Sequence, residues 1–328
     1  MRKVVVDTDT GVDDALALML LAADPTVEIL AVLSVFGNCH GERAADNARY
    51  VLDTCGRQDV PVYRGCDVPL IQELRLSSGV HGDDGFGNTG LRPAESVPAE
   101  PNGVPILLDL VDAHEGEIDY LALGPQTNLA TALRAQPDLL ERLASTTIVG
   151  TLGPALYHDT EPWADRRFRV SRDPNVSFDI DAAQEVARRP GNVTWCGPYV
   201  TRQALVPEQF FRDIAASTGH PPATLIAEIS RDYAGFYSRS YGRPDDARVM
   251  GINDSLAVAT LLRPDLVTAA VQRPLQTFED PETGERYLAG VHPVREETRP
   301  LHRVVVDMDF DGVLDMIGDV LRRPLPWR

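Results

Sequence analysis

A chain of 328 residues with a formal charge of −18 and a pI near 4.7 is poorly suited to nucleic acid or an anionic membrane, because bulk electrostatics repel both. Its 43% hydrophobic content is ordinary for a globular core. No apolar stretch is long enough to span a bilayer, no signal-peptide core precedes the first strand residues, and Cys39, Cys55, Cys66 and Cys196 form no Cys-x-x-Cys pair, so the cytoplasm is the expected compartment and idle or buried thiols their expected state.

Val4–Asp7 reads as a buried strand, Gly11 as a tight turn and Val12–Ala23 as a helix. Between them Asp7, Asp9, Asp13 and Asp14 place four carboxylates in eight residues. A helix dipole welcomes one or two acids in its first turn, at about 0.3–1 kcal/mol each. Crowding costs more: two carboxylates about 4 Å apart repel by roughly 4 kcal/mol at an effective dielectric near 20. A bound divalent cation reverses that sign, so the cluster points to a metal or phosphate-chemistry site. Strand Val27–Ser34 and helix Glu42–Thr54 follow, and this alternation predicts a parallel sheet. Ligands in such sheets collect beyond the carboxyl ends of the strands. Asp9, Asp13, Asp14 and Asn38 all fall at such ends.

Val68–Asn102 is rich in glycine and proline and reads as a long mobile loop, a candidate lid with His81 at its mouth. Helix Pro105–His114, strand Asp119–Leu123, helix Thr127–Ala135 and strand Thr146–Gly150 resume the alternation. Thr127 follows Gly124-Pro125 at a strand-to-helix junction, where a carbonyl can turn toward a cation. Gly153–Arg172, with Trp163 and Arg166-Arg167-Phe168-Arg169, takes no clear element. Helix Asp181–Arg189, strand Val193–Cys196 and a helical stretch from Pro207 to about Tyr241 come next. In the last of these Tyr233, Phe236, Tyr237 and Tyr241 recur at helical spacing, a pattern more common in cores than in pockets. Helix Asp254–Leu262, a hairpin around Pro281-Glu282-Thr283-Gly284 and a closing strand and helix around Val304–Gly312 complete the chain. No repeat or linker divides it, so residues 1–328 are expected to form a single α/β domain, an open, mostly parallel sheet flanked by helices.

Three templates compete for Asp7–Leu18. An EF-hand loop counted from Asp7 needs Gly and a carboxylate where Val12 and Leu18 stand, and fails. An aspartate-nucleophile phosphohydrolase matches Val4–Thr10 but wants a basic residue at the phosphate, and the single lysine, Lys3, lies at the wrong end of its strand. A second near-match, Val304–Gly312, weakens that reading further, since one site needs one such strand. The third template is the nucleoside hydrolase family, whose amino terminus has the same Asp-x-Asp-x-Gly-x-Asp-Asp-Ala layout.

The resemblance continues in family order through Ser34–Asn38, Val80–Gly87, Leu123–Ala130, Asp173–Asp179 with Ala182-Ala183, and Asn253–Ala257. It implies a Rossmann-like nucleoside hydrolase fold, a dimer or tetramer of one chain, and a small-molecule nucleoside as substrate. It implies Ca2+ held by Asp9, Asp14, the Thr127 carbonyl and Asp254, with metal-bound water attacking the sugar and Asp13 as general base. Asn38, Asp173 and Asn175 resemble its sugar contacts, Tyr233 and Tyr237 flank its base side, and His81 and Asn253 join Asp13 among the catalytic positions. Three departures stand out. Asn253 replaces a histidine associated with protonating the leaving base, Asp173 stands for Glu, and Gly153–Arg172 offers arginines where the family has an asparagine. The rival functions are the phosphohydrolase and a catalytically weak nucleoside- or ribose-binding protein.

Overall fold

The structure, a computed structural model, describes residues 1–153, 173–279, 284–294 and 297–326. Its strands are β1 Arg2–Thr8, β2 Val27–Ser34, β3 Val62–Arg64, β4 Ile118–Ala122, β5 Ser145–Ile148, β6 Val193–Trp195, β7 Leu205–Pro207, β8 Val249–Gly251, β9 Val267–Arg273, β10 Leu275–Glu279, β11 Arg286–Gly290 and β12 His302–Met308. The helices are α1 Val12–Ala23, α2 Gly41–Thr54, α3 Ser78–His81, α4 Gly103–Ala113, α5 Thr127–Ala135, α6 Pro174–Phe178, α7 Ile180–Ala187, α8 Pro198–Thr201, α9 Glu208–Thr218, α10 Pro221–Ser240, α11 Asn253–Leu262 and α12 Phe310–Arg322.

Eight strands make one sheet in the order β3-β2-β1-β4-β5-β6-β12-β9. Every described pairing in it is parallel except that of β12 with the edge strand β9. The open, mostly parallel α/β architecture expected from the alternation is therefore what forms. Side chains alternate along β1, so Val4 and Val6 enter the core on one face while Val5 enters that on the other. Helix α1 is buried at every position from Val12 to Ala23, because it lies between the sheet and α2, α10, α11 and α12. Its all-round apolar sequence, Ala15–Ala23, suits that central place.

From β1 the chain steps to β2 and β3 on one side and to β4, β5 and β6 on the other, which opens a crevice at the carboxyl ends of β1 and β4. The near-repeat of the first motif is structural, as expected: Asp309 caps α12 by accepting the Gly312 amide at 3.1 Å. The helical stretch after Pro207 is two helices. Gly219 ends α9 in the left-handed region (φ 63°) and Pro221 starts α10. The turn of the expected hairpin, residues 281–283, and the stretch 154–172 with Trp163 and Arg166–Arg169 lie outside the described residues, although β10 and β11 pair antiparallel on either side of that turn.

The 68–102 segment carries little regular structure but is tied down rather than loose. Asp84 accepts the amides of Phe86, Asn88 and Gly90 at 2.8 Å each. Arg43 and Asn47 of α2 donate to the Asp84 carbonyl at 3.0 and 2.9 Å, and Asn47 also donates to the Thr10 carbonyl at 2.9 Å. Those bonds fix α3, and His81 at its end, against the acidic loop. No helix among the described residues is long and apolar enough to cross a membrane.

Candidate active site

The chain leaving β1 doubles back at Gly11, which lets α1 begin with Asp13 and Asp14 in its first turn. Asp14 is held from three sides: Thr8 Oγ1 donates to one oxygen at 2.6 Å, and the Gly11 amide and Asn38 Nδ2 donate to the other at 2.9 and 2.8 Å. Asp9 accepts the Asn38 amide at 2.7 Å through Oδ2, while its Oδ1 is buried with no partner. Asp254 arrives from α11. Carboxylate oxygens of Asp13, Asp14 and Asp254 lie within 4.8 Å of one another. Burial, with the repulsion of neighbouring carboxylates behind it, raises the pKa of Asp9, Asp14 and Asp254. Burial raises that of Asp13 too, against hydrogen bonds from Asn253 and Tyr233. A cation placed among these groups removes the strain of like charge.

Asp7 points elsewhere. Tyr120 Oη and Asn128 Nδ2 donate to it at 2.5 and 2.8 Å, and burial pushes its pKa up to about 7. Since Asn128 also donates to the Ser34 carbonyl at 3.0 Å and accepts the Cys66 amide at 2.7 Å, Asp7 stitches strand ends together beneath the site.

Asn253 Nδ2 donates to Asp13 Oδ2 at 2.8 Å and lies 2.9 Å from Tyr237 Oη and 3.2 Å from Tyr233 Oη. His81 Nδ1 accepts the Val12 amide at 3.2 Å and stands 4.0 Å from Asp13. Its ring lies 4.8 Å from that of Tyr233, and burial lowers its pKa to about 4. The imidazole is therefore neutral near pH 7. With Nδ1 accepting, its proton sits on Nε2.

A cavity of about 520 Å³ opens over these groups and is lined by Asp13, Asn38, His81, Asp173, Asn175, Tyr237, Asn253 and Asp254. Residues chosen from six separate stretches of sequence thus line one cavity. Asp9 and Asp14 lie deeper, exposed by 1% and 0%, and Tyr233 is wholly buried behind Tyr237 and His81. The aromatic stripe of α10 is consequently both things its spacing allowed: Tyr233 is core, while Phe236, Tyr237 and Tyr241 face the cavity.

Thr127 is the exception. As the first residue of α5 its carbonyl runs along the helix and accepts Thr131 Oγ1 at 2.8 Å, and its hydroxyl donates to Asp179 at 2.8 Å. It does not line the cavity. Leu123, just past the end of β4, and Val149 do line it, and their carbonyls accept Asn175 Nδ2 at 2.5 and 3.1 Å. A Cβ on the next residue, Gly124, would come within 2.9 Å of Asp9 Oδ1, so the Leu123–Gly124 backbone lies directly against the acidic cluster. Arg202 also lines the cavity and was not singled out from sequence. The available signal was position: it follows a short helix immediately beyond the carboxyl end of β6.

Asp173 caps α6, accepting the Val176 amide at 3.3 Å, and its Oδ2 is buried without a partner. Burial pushes it up to about 7, against hydrogen bonds and the charge of Arg202.

The sequence model of the inosine-uridine preferring nucleoside hydrolase family matches residues 4–315 of this chain. The chain belongs to that family of N-glycosyl hydrolases. It is 30% identical over 325 residues to the inosine-uridine preferring nucleoside hydrolase of Leishmania major, covering 98% of each chain. It is 29% identical over 328 residues to that of Crithidia fasciculata, again covering 98% of each. In fold it superposes on a plant nucleoside hydrolase with a TM-score of 0.83 at 24% identity, covering 98% of this chain and 99% of the other.

Two tests of this nucleoside hydrolase site follow from its packing. Gly37→Ala would put a Cβ 2.0 Å from Asp9 Oδ2, so the carboxylate must move. Overpacking of this kind costs about 1–3 kcal/mol, and calorimetric titration with divalent cations should show affinity at this acidic group reduced at least tenfold; unchanged affinity would detach Asp9 from any cation held there. The second concerns pH. Asp173 has a folded pKa near 7 against 3.8 in its ordinary state, so its protonated form favours the fold, fully below about 3.8, and that contribution is lost as pH rises through 7. Asp173→Asn should therefore flatten the fall in Tm between pH 5 and 8, and curves that stay parallel would refute the assignment.

Proposed function

We propose that this chain hydrolyses the N-glycosidic bond of a ribonucleoside with calcium as cofactor, releasing free base and ribose. The observation that carries this reading is the orphaned, buried Asp9 Oδ1 beside the Asp13, Asp14 and Asp254 carboxylates, at the floor of a cavity of about 520 Å³. That volume falls in the range of about 300–1,000 Å³ usual for small-molecule sites. An all-oxygen donor set fits a hard cation such as calcium rather than a thiolate-seeking metal. Asp9, Asp14 and Asp254 would hold it, with the Leu123 carbonyl rather than that of Thr127 as the backbone donor. When bound, the ion would supply acidification of a water and a grip on the 2′- and 3′-hydroxyls.

The remaining work falls to side chains. Asp13 accepts the proton of the attacking water, and the Asn253 amide at 2.8 Å orients it. Asn253 itself has no proton to give a leaving base. Tyr237 Oη and His81 Nε2–H are the neutral donors on that side of the cavity, so the base is relieved of charge by hydrogen bonding rather than by an imidazolium. Asn175 spends Nδ2 on the Leu123 and Val149 carbonyls, at 2.5 and 3.1 Å, which leaves Oδ1 to accept from a sugar hydroxyl. Asn38, bonded to both Asp9 and Asp14, keeps the metal carboxylates aligned while lining the sugar side. Direct attack by water gives inversion at the anomeric carbon.

The phosphohydrolase alternative loses its best cation, because Lys3 is paired with Glu117 at the amino-terminal end of β1. A reducing-sugar assay over purine and pyrimidine nucleosides is the direct test, and ribose release is expected. Tight ribose binding without release from any nucleoside would favour a binding protein, and phosphate release inhibited by vanadate would favour the phosphohydrolase. Assembly as a dimer or tetramer belongs to the same reading, and light scattering on the purified chain checks it.

A further inference from the structure

The hydrolysis described above gives no part to one cationic residue that lines the cavity. Arg202 follows α8, is half-buried, and lines the same cavity as Asp13. It is placed between two of the cavity's other groups: its charge opposes the burial-driven rise in the pKa of both Asp173 and Tyr241, and its carbonyl accepts the Tyr241 hydroxyl at 3.5 Å. With His81 neutral, Arg202 is the one cationic lining residue among those described. On a chain of net charge −18, which repels anions in bulk, an arginine lining the cavity, with its charge felt by Asp173 and Tyr241, is a local exception.

The proposed placement of the sugar says which part of a ligand it meets. If the ribose diol sits over Asp9, Asp14 and Asp254, and the anomeric carbon beside Asp13 and Asn253, the substituent on C4′ is left to the wall formed by Asp173, Asn175 and Arg202. A guanidinium fork matches a carboxylate or a phosphate with two parallel hydrogen bonds. Asp173 next to it is compatible with an anion, because burial holds its pKa up to about 7 and its unpartnered Oδ2 can then carry a proton to donate.

We propose that Arg202 makes this cavity selective for nucleosides carrying an oxyanion at the 5′ position, a carboxylate or a phosphate; the proposal rests on the nucleoside hydrolase reading above. The test compares kcat/KM of the full chain, with calcium, for uridine and inosine, their 5′-carboxylates, their 5′-monophosphates, and orotidine, whose carboxylate is on the base. The 5′-oxyanion substrates should be preferred over their parents by at least tenfold, chiefly through KM, with the larger of the two gains identifying the anion. Arg202→Gln should lower that preference ratio by about 10–100-fold, the range of hydrogen bonds to a charged group, and Arg202→Lys should restore part of it. No preference in the unsubstituted chain overturns the proposal, as does an equal loss on parents and derivatives in Arg202→Gln, which would make the arginine structural. A gain confined to orotidine also overturns it, since the arginine would then read the base. Parents cleaved without oxyanion preference sink only this inference, whereas no cleavage of any substrate sinks the nucleoside hydrolase reading with it.

Discussion

Asp13→Asn is expected to lower kcat for ribose release by roughly 10²–10⁴ while the chain still gains thermal stability on adding calcium. The substitution keeps the shape of the side chain, and an amide oxygen can still accept Asn253 Nδ2, which now lies 2.8 Å from Asp13 Oδ2. What disappears is basicity. Burial raises the pKa of Asp13 and so makes it a better proton acceptor than an exposed carboxylate. Its oxygens also lie within 4.8 Å of Asp14 and Asp254, so the two roles open to it must be separated. A calcium-induced rise in Tm that survives with kcat abolished marks a base; loss of both marks a ligand; and kcat close to that of the unsubstituted chain would remove Asp13 from the chemistry.

Calcium removal is the second large effect, and it should be felt in stability as strongly as in activity. Charges about 4.8 Å apart repel by roughly 3.5 kcal/mol per pair at an effective dielectric near 20, and a cation bound at a hundredfold excess over its Kd adds about 2.7 kcal/mol to the folded state. Chelation should abolish ribose release and lower Tm by several degrees. It should also make stability depend on pH. In the metal-free chain Asp9, Asp14 and Asp254 have folded pKa values raised above 3.8, so the folded state keeps protons that the unfolded state has lost. The metal-free chain is then most stable in acid and weakens as pH rises through the raised values, and calcium should flatten that slope. Asp254→Asn separates charge from packing. It removes one repelling carboxylate, so its metal-free form should melt higher than the metal-free parent near pH 8 and respond little to calcium. A variant that melts lower in chelator yet responds normally to calcium would place the ion elsewhere.

Much of this site was readable along the chain because its pieces lie where strands end. Asp9, Asp13 and Asp14 follow β1, Asn38 follows β2 and Asn175 lies in the segment between β5 and β6, so each was tied to the crevice by a local pattern of apolar run, turn and helix start. Thr127 was misplaced by the same logic. A strand-to-helix junction offers several carbonyls, and which one meets the crevice depends on where α5 begins; since it begins at Thr127, that carbonyl is taken into the helix, whereas Leu123 lines the cavity and its carbonyl meets Asn175. The 68–102 segment misled in another way. Glycine content describes what a backbone can do, whereas Asp84, Arg43 and Asn47 settle what it does.

The order of apolar runs and turns in the sequence was by itself enough to determine a parallel α/β sheet and the crowding of acids at its first strand, because strands alternating with helices can pair only in parallel through crossovers and the acids are neighbours along the chain. The tertiary structure alone decided that Asn253 pairs with Asp13 across 240 positions, that Arg202 faces the same cavity as Asp173, and that the Tyr233 ring is core while Tyr237 is wall. Pairings of that kind are set by how α10, α11 and the loop after β6 dock over one end of the sheet. No local period of the chain encodes that distance.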